Sequence, residues 1–252
     1  MVITMVNPII INLYDFDGTI TKNGMFGADT LIYFIMYCYG NVKELRTNIR
    51  KCVLKGLSVY LKTKSVSKFK ENSLGFLKII EETPGLDLAK IVADFGIEHK
   101  KRVFDYFENS IDKDAISIII SATPEFLLES FAKEYGMGLI GTKIAPITGE
   151  LLGDNCRKEE KIIRLAEYLK KHYPNVDFVI NKVYSDTIIK RKWFKFVPGN
   201  DAYIGLLGKE AINVSSRGKL SLINTTGIKP KHENVYVEPG IKGLRLEMDK
   251  KS

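Results

Sequence analysis

The sequence predicts an α/β protein built on a parallel sheet, on three observations. Short, β-branched, almost continuously apolar runs recur near residues 9–14, 116–120 and 178–184, as strands buried on both faces do. Helical patterns alternate with them, as the crossover connections of a parallel sheet require. A long helical block separates the first run from the second.

Each element has its own signal. Ile9-Ile10-Ile11-Asn12-Leu13-Tyr14 is short and apolar, a buried strand. Residues 28–107 are dominated by helical patterns and hold no comparably β-rich run, as an inserted cap would. Ile116-Ser117-Ile118-Ile119-Ile120 is the second strand. The stretch 124–135 reads as a helix with Pro124 in its first turn, where a missing N–H costs nothing. Thr148-Gly149 centres a hairpin over 143–152. Residues 158–172 form an amphipathic helix with Ile162, Leu165, Ala166 and Leu169 on one face. Phe178-Val179-Ile180 through Val183-Tyr184 is the third strand; a helix over 187–197 and a strand over 201–204 are expected to follow. Beyond 205 the pattern fades into short runs such as Val235-Tyr236-Val237. The expected organisation is a core of 1–22 and 98–205, a helical cap of 23–97, and a C-terminal extension of 206–252.

Composition narrows the function. The net charge of +8 suits anionic partners. Much of it sits in 41–70, where Lys43, Arg46, Arg50, Lys51, Lys55, Lys62, Lys64, Lys68 and Lys70 face Glu44 alone. This stretch reads either as a solvated helix face or as a basic rim that attracts an anionic substrate or an acidic membrane surface. Tyr60 and Phe69 read as core, so no nucleic-acid partner is expected. Cys38, Cys52 and Cys156 lie far apart, which suggests neither a zinc site nor a disulfide framework. No signal-peptide pattern and no apolar run of spanning length is evident, so the expectation is a cytoplasmic protein without a transmembrane segment.

Ligands of open α/β sheets bind beyond the carboxyl ends of the strands. After the first strand comes Asp15-Phe16-Asp17-Gly18-Thr19, after the second Ser121-Ala122-Thr123-Pro124, and after the third Ser185-Asp186; Lys161 opens the amphipathic helix. This set suits phosphoryl transfer. A carboxylate, Asp15, attacks phosphorus and divides one hard step into two. Two anions repel, so a cation must lie between them. Magnesium takes a few oxygen ligands plus water and phosphate; Asp15 and Asp186 offer carboxylates and Asp17 its backbone carbonyl. The Asp17 side chain is then the acid/base. Ser121, Lys161 and the backbone amides around Phe16 to Gly18 bind the phosphoryl oxygens.

These residues carry a resemblance. Asp15-Phe16-Asp17-Gly18-Thr19-Ile20-Thr21 resembles the first motif of the haloacid-dehalogenase-like hydrolases, and Ser121-Ala122 the second, which adds Ala122 to the phosphate-binding set. Asn155-Cys156-Arg157-Lys158-Glu159-Glu160-Lys161 is similar to the Asn-Cys-x-Gly-Glu-Glu-Lys segment of the phosphoserine-phosphatase-like branch. Tyr184-Ser185-Asp186-Thr187 resembles the start of the fourth motif. The resemblance covers residues 8–24 and 100–204. It implies a Rossmann-like core, a helical cap inserted after the first motif, Mg2+, and hydrolysis of phosphate monoesters of small anionic molecules.

Two positions depart from the pattern. The second acid of the fourth motif, four residues after the first, is Lys190 here, and Asp201 is only a remote substitute. With 187–197 helical, Lys190 would lie one turn from Asp186 on the same face. The glutamate that meets the amino group of phosphoserine is replaced by Gly24, which argues against that substrate. Two alternatives stay open: a phosphotransferase of the same fold, and a binding or regulatory protein that has lost turnover.

Overall fold

A computed structural model of the protein describes residues 8–23, 29–174, 176–192 and 195–225. Its centre is a six-stranded sheet. β1 (Ile9–Tyr14) lies between β2 (Ile116–Pro124) and β4 (Phe178–Ser185), and β3 (Gly138–Thr142) flanks β2. β7 (Glu210–Val214) flanks β4, and these pairs are all parallel. β8 (Leu220–Ile223) adds an antiparallel edge. The one polar residue inside β1, Asn12, sits at a register shift against β4, where its Oδ1 accepts the Lys182 N–H at 3.1 Å.

Both sheet faces are covered. On one, Ile11, Leu13, Ile118 and Ile180 pack with Ile162, Leu165 and Leu169 of α8 (Glu159–His172). The acids of the first turn of α8, Glu159 and Glu160, and the bases of its last turn, Lys170, Lys171 and His172, complement the helix dipole. On the other face, Tyr14, Phe16, Phe107, Ile119 and Phe131 form a second cluster. Tyr14 stacks on Tyr184 with centroids 4.6 Å apart.

Among the described residues, the first five of the six α-helices between β1 and β2 share a core of their own, centred on Phe34, Leu45, Phe76, Leu77 and Phe95. They are α1 (Thr30–Asn41), α2 (Arg46–Thr63), α3 (Val66–Leu74), α4 (Leu77–Glu82) and α5 (Leu88–Lys100). Asp29, Ser65 and Asp87 cap the first, third and fifth through side-chain oxygens. α6 (Tyr106–Ser110) leads into β2.

Four expectations change. Pro124 closes β2 instead of opening a helix, because its ψ of 132° is extended; a 3-10 turn at Glu125–Leu127 and α7 (Glu129–Glu134) follow. The stretch 187–197 is not helical. It holds an antiparallel pair, β5 (Ile189–Lys192) with β6 (Lys195–Pro198), consistent with its β-branched and aromatic composition. Residues 202–205 form a helical turn, α9 (Ala202–Gly205), not a strand. The sheet also runs on past 205, through β7 and β8, so part of the expected extension belongs to it. The expected hairpin at 143–152 is present as an antiparallel bridge between Ile144 and Leu151. Val235-Tyr236-Val237 lies outside the described residues.

Candidate active site

The loop after β1 turns tightly under its own carbonyls. Phe16 O accepts from Ile20 N at 2.9 Å and Thr21 N at 3.1 Å, and Gly18 N donates to Thr21 O at 2.8 Å. Gly18 holds a φ of +77°, which favours glycine. A Cβ there would lie 2.8 Å from Asp186 Cγ, so the absence of a side chain lets the Asp186 carboxylate close over the loop. Thr19 fixes the same approach, its Oγ1 accepting the Asp186 N–H at 2.9 Å. Phe16 is buried, stacked on His99 with centroids 5.7 Å apart and set edge-on to Phe131.

Asp15 is held from behind. Its N–H donates to Tyr184 O at 2.9 Å, and its Oδ1 accepts from Lys161 Nζ at 2.8 Å. Lys161 is the third residue of α8 and only 2% exposed; its Nζ also lies 2.9 Å from Asp201 Oδ1. Asp201 in turn accepts from Ser185 Oγ at 2.7 Å. Burial pushes the Asp15 carboxyl well above the usual carboxylate range; Lys161 opposes that shift, while Asp201 and Asp186 add to it. Burial alone would lower the Lys161 amine, but the two carboxylates more than offset it and raise it. Asp15, Asp186 and Asp201 thus bring three carboxyl groups close to the Lys161 ammonium.

Asp201 is remote from Asp186 in sequence but not in space. The β5–β6 hairpin brings it in, closed at its base by Gly199 N to Ile188 O at 2.9 Å and Asp201 N to Thr187 O at 3.1 Å. Lys190 lies on β5, not on a helix one turn beyond Asp186, so the expected shared helix face does not exist.

Asp17 faces the helical block. Its Oδ1 accepts from Thr30 N at 2.7 Å and Thr30 Oγ1 at 2.5 Å, and its Oδ2 accepts from Thr123 Oγ1 at 2.5 Å. Thr30 begins α1, so a helix N-terminus meets this carboxylate. Thr30 has one O–H and donates it to Asp17. His99 Nε2, 3.1 Å from the same oxygen, must therefore be the donor. His99 is neutral in this chain of bonds, burial lowering its pKa to about 4 against the opposing pull of Asp17.

Ser121 is buried at the end of β2, where its Oγ accepts the Thr123 N–H at 3.1 Å and retains its own O–H as a donor. The carbonyl of Ala122 accepts from Thr142 Oγ1 at 2.7 Å and from Lys70 Nζ at 2.5 Å. Unlike the exposed lysines of 41–70, Lys70 is 4% exposed, and it also donates to Asn155 Oδ1 at 2.9 Å. Burial lowers its pKa to about 8, with Asp29 and Asp17 opposing.

The carboxyl ends of β1, β2 and β4 and the start of α8 thus gather Asp15, Phe16, Asp17, Gly18, Ser121, Ala122, Lys161 and Asp186. Sequence reasoning missed Thr30, Lys70, His99, Thr123 and Asp201. Thr123 stood in the segment quoted after β2, and Asp201 was in view; the others carried no local signal. Gly24 lies outside the described residues.

Magnesium fits this set. Asp15 and Asp186 offer carboxylates and Asp17 a carbonyl, all oxygen donors of the kind magnesium takes. Among the described residues no three His, Cys, Asp or Glu side chains form a metal cage. Magnesium does not need one, since it keeps waters and takes substrate oxygens.

A family model described as haloacid dehalogenase-like hydrolase matches residues 13–188. Protein CicA of Caulobacter vibrioides (strain NA1000 / CB15N) is 36% identical over 81 residues, which is 30% of this chain and 34% of that protein, so the match spans about a third of the curated relative. A protein of unknown function from Bordetella pertussis Tohama I shares the fold, with a TM-score of 0.53 and 17% identity over 72% of this chain and 84% of that one. A phosphoserine phosphatase structure, a phospho-aspartyl intermediate analogue, aligns over 82% of this chain and 87% of its own with a TM-score of 0.45 and 12% identity.

Proposed function

The chain belongs to the haloacid dehalogenase-like hydrolases, and we propose that it is a magnesium-dependent phosphatase that cleaves phosphate monoesters of small anionic molecules through an aspartyl-phosphate on Asp15. The observation that carries this reading is the Lys161 ammonium, which bridges Asp15 and Asp201 beside the Asp186 carboxylate at the end of β1.

Lys161 occupies Asp15 Oδ1, so Oδ2 is the attacking oxygen. It forms a bond to phosphorus as the ester P–O bond breaks, and the departing oxygen takes a proton from Asp17. Water then attacks the phosphoryl group and gives a proton to Asp17; Asp15 is regenerated and inorganic phosphate leaves. Ser121 Oγ, Lys161 and the backbone amides of Phe16 and Ala122 are the donors for the phosphoryl oxygens; the Gly18 N–H is spent on Thr21 O. Asp15, Asp186 and the Asp17 carbonyl would hold magnesium, which supplies charge neutralisation between nucleophile and phosphate. Lys70 adds an ammonium from the helical block, on the carbonyl of Ala122.

The non-catalytic alternative rested on Lys190. Asp201 weakens it, since an acid from outside the expected spacing stands on Lys161. The test is phosphate release from a panel of monoesters with magnesium, for wild type and Asp15→Asn. Wild-type turnover that falls to background in the variant is expected. Variant turnover within about tenfold of wild type would remove Asp15 as nucleophile. A new phosphoester formed from added alcohols, in place of phosphate, would favour the phosphotransferase.

A further inference from the structure

α2 carries its leucines on the wrong side for a cap helix. It turns Ile49 and Gly56 inward, and Gly56 lets α3 approach so closely that a Cβ would lie 3.1 Å from Phe69 O. On the outward face Leu54, Leu57 and Leu61 are 65%, 43% and 66% exposed. Their i, i+3, i+7 spacing makes one continuous stripe along the helix. Lys51, Lys55 and Lys62, all exposed, line one edge of it. Glu44 is the sole acid in 41–70, so nothing in the stretch neutralises that edge.

We infer that α2 is a membrane-surface helix, which lays its leucine stripe into an anionic lipid bilayer while the lysines meet the headgroups. A leucine stripe edged by lysines on a convex helix face has the chemistry of an interface between acyl chains and anionic phosphates. Lysine stems reach along the apolar surface while their ammonium groups stay at headgroup level. A second copy of this chain is the poorer occupant, because an antiparallel two-fold contact would set the lysine edge against its own copy and a parallel one would leave it without an acidic partner in 41–70. Among the described residues no helix is long and apolar enough to span a membrane, so attachment is by this face lying in the interface.

The test is flotation of the full-length protein with vesicles of phosphatidylcholine alone and of phosphatidylcholine with phosphatidylglycerol. Binding to the anionic vesicles alone, weakened by added salt, is expected. Removing a leucine from the interface costs about tenfold in partition, and removing a lysine near an anionic surface about fivefold. Leu57→Gln with Leu61→Gln should therefore weaken binding about a hundredfold. Lys51→Gln with Lys55→Gln and Lys62→Gln should do so to a similar degree. Hydrolysis of a soluble phosphate ester should be unchanged in both, which also reports that they fold. The inference fails if wild type ignores anionic vesicles, or if the leucine variant binds them as well as wild type does. It fails equally if the leucine variant converts a dimer into a monomer without altering vesicle binding.

Discussion

Among the described residues two lysines are buried, one in the sheet-bearing half and one in the helical block, and they are set in opposite ways. Lys161 is 2% exposed and stands between the carboxylates of Asp15 and Asp201; its proton is held more tightly than usual. Lys70 is 4% exposed and donates to two neutral oxygens, Ala122 O and Asn155 Oδ1, and burial pulls its pKa down to about 8. Equal burial therefore does not mean equal charge balance. The first ammonium spends two of its three N–H groups on carboxylates and keeps the third for a phosphoryl oxygen. The second lacks a directly bonded anion, and a substrate phosphate or carboxylate is the kind of group that would supply one.

The sharpest way to break this contrast is to remove each ammonium. Lys161→Met leaves Asp15 and Asp201 facing each other in a buried site. Loss of about 3–5 kcal/mol of stability is expected in urea unfolding with chelator present, along with loss of phosphatase activity. Lys70→Met leaves two neutral acceptors, Ala122 O and Asn155 Oδ1, sharing the single Thr142 O–H. Its stability should stay within about 1 kcal/mol of wild type, while KM for an anionic ester rises and kcat changes less. Equal destabilisation by the two substitutions would erase the distinction.

Asp17→Asn tests the carboxylate that joins the two halves through Thr30 and Thr123. Turnover should fall by ~10²-fold or more, and less for esters with good leaving groups, which need little protonation. An equal loss across leaving groups would count against an acid role.

The lowered pKa of Lys70 has a pH signature. Between about 8 and the ordinary lysine value of 10.5, the folded chain has released a proton that the unfolded chain retains. Stability then rises with pH across that window, because the unfolded state binds more protons. Below about 8 both states are protonated and the contribution is flat. The difference in unfolding free energy between wild type and Lys70→Met should therefore shift in favour of wild type as pH rises through that range. A constant difference would mean that Lys70 keeps its ordinary pKa.

The smallest effect is at Lys158, where the resembling segment has glycine. Its φ of 56° and ψ of −124° place a side chain in backbone territory that glycine prefers. Lys158→Gly should relieve that strain and raise the unfolding free energy by ~1 kcal/mol, with turnover unchanged, because Lys161 keeps its place one turn on.

Much of this was legible in advance. The three central strands and α8 announce themselves because apolar periodicity over six or more residues leaves few alternatives. Asp186 was findable by its position after a strand, and Lys161 by its place at the start of the amphipathic helix. β7 was not, since Glu210-Ala211-Ile212-Asn213-Val214 mixes polar and apolar residues and owes its place to pairing with β4. Lys70 was invisible for a different reason. A lysine on a lysine-rich helix has the same local pattern whether it faces water or a carbonyl, and only the docking of α3 decides. Asp201 was displaced by its spacing, because a fixed interval between acids assumes that nothing lies between them.

The neck of the β5–β6 hairpin turns that displacement into a design rule. Thr187 O and Ile188 O meet the amides of Asp201 and Gly199 on the far side, so the chain leaves the site and returns through one narrow ring. Gly199 makes the ring possible, since a Cβ there would lie 2.7 Å from the Thr187 carbonyl carbon. Everything beyond the ring hangs from it as a pendant. Doubling a pendant loop adds only about 0.6 kcal/mol of closure entropy, so its length is nearly independent of the distance between Asp186 and Asp201. A lineage can lengthen, shorten or exchange the pendant while the two carboxylates keep their stations, and a motif defined by residue count loses sight of a site whose shape has not changed.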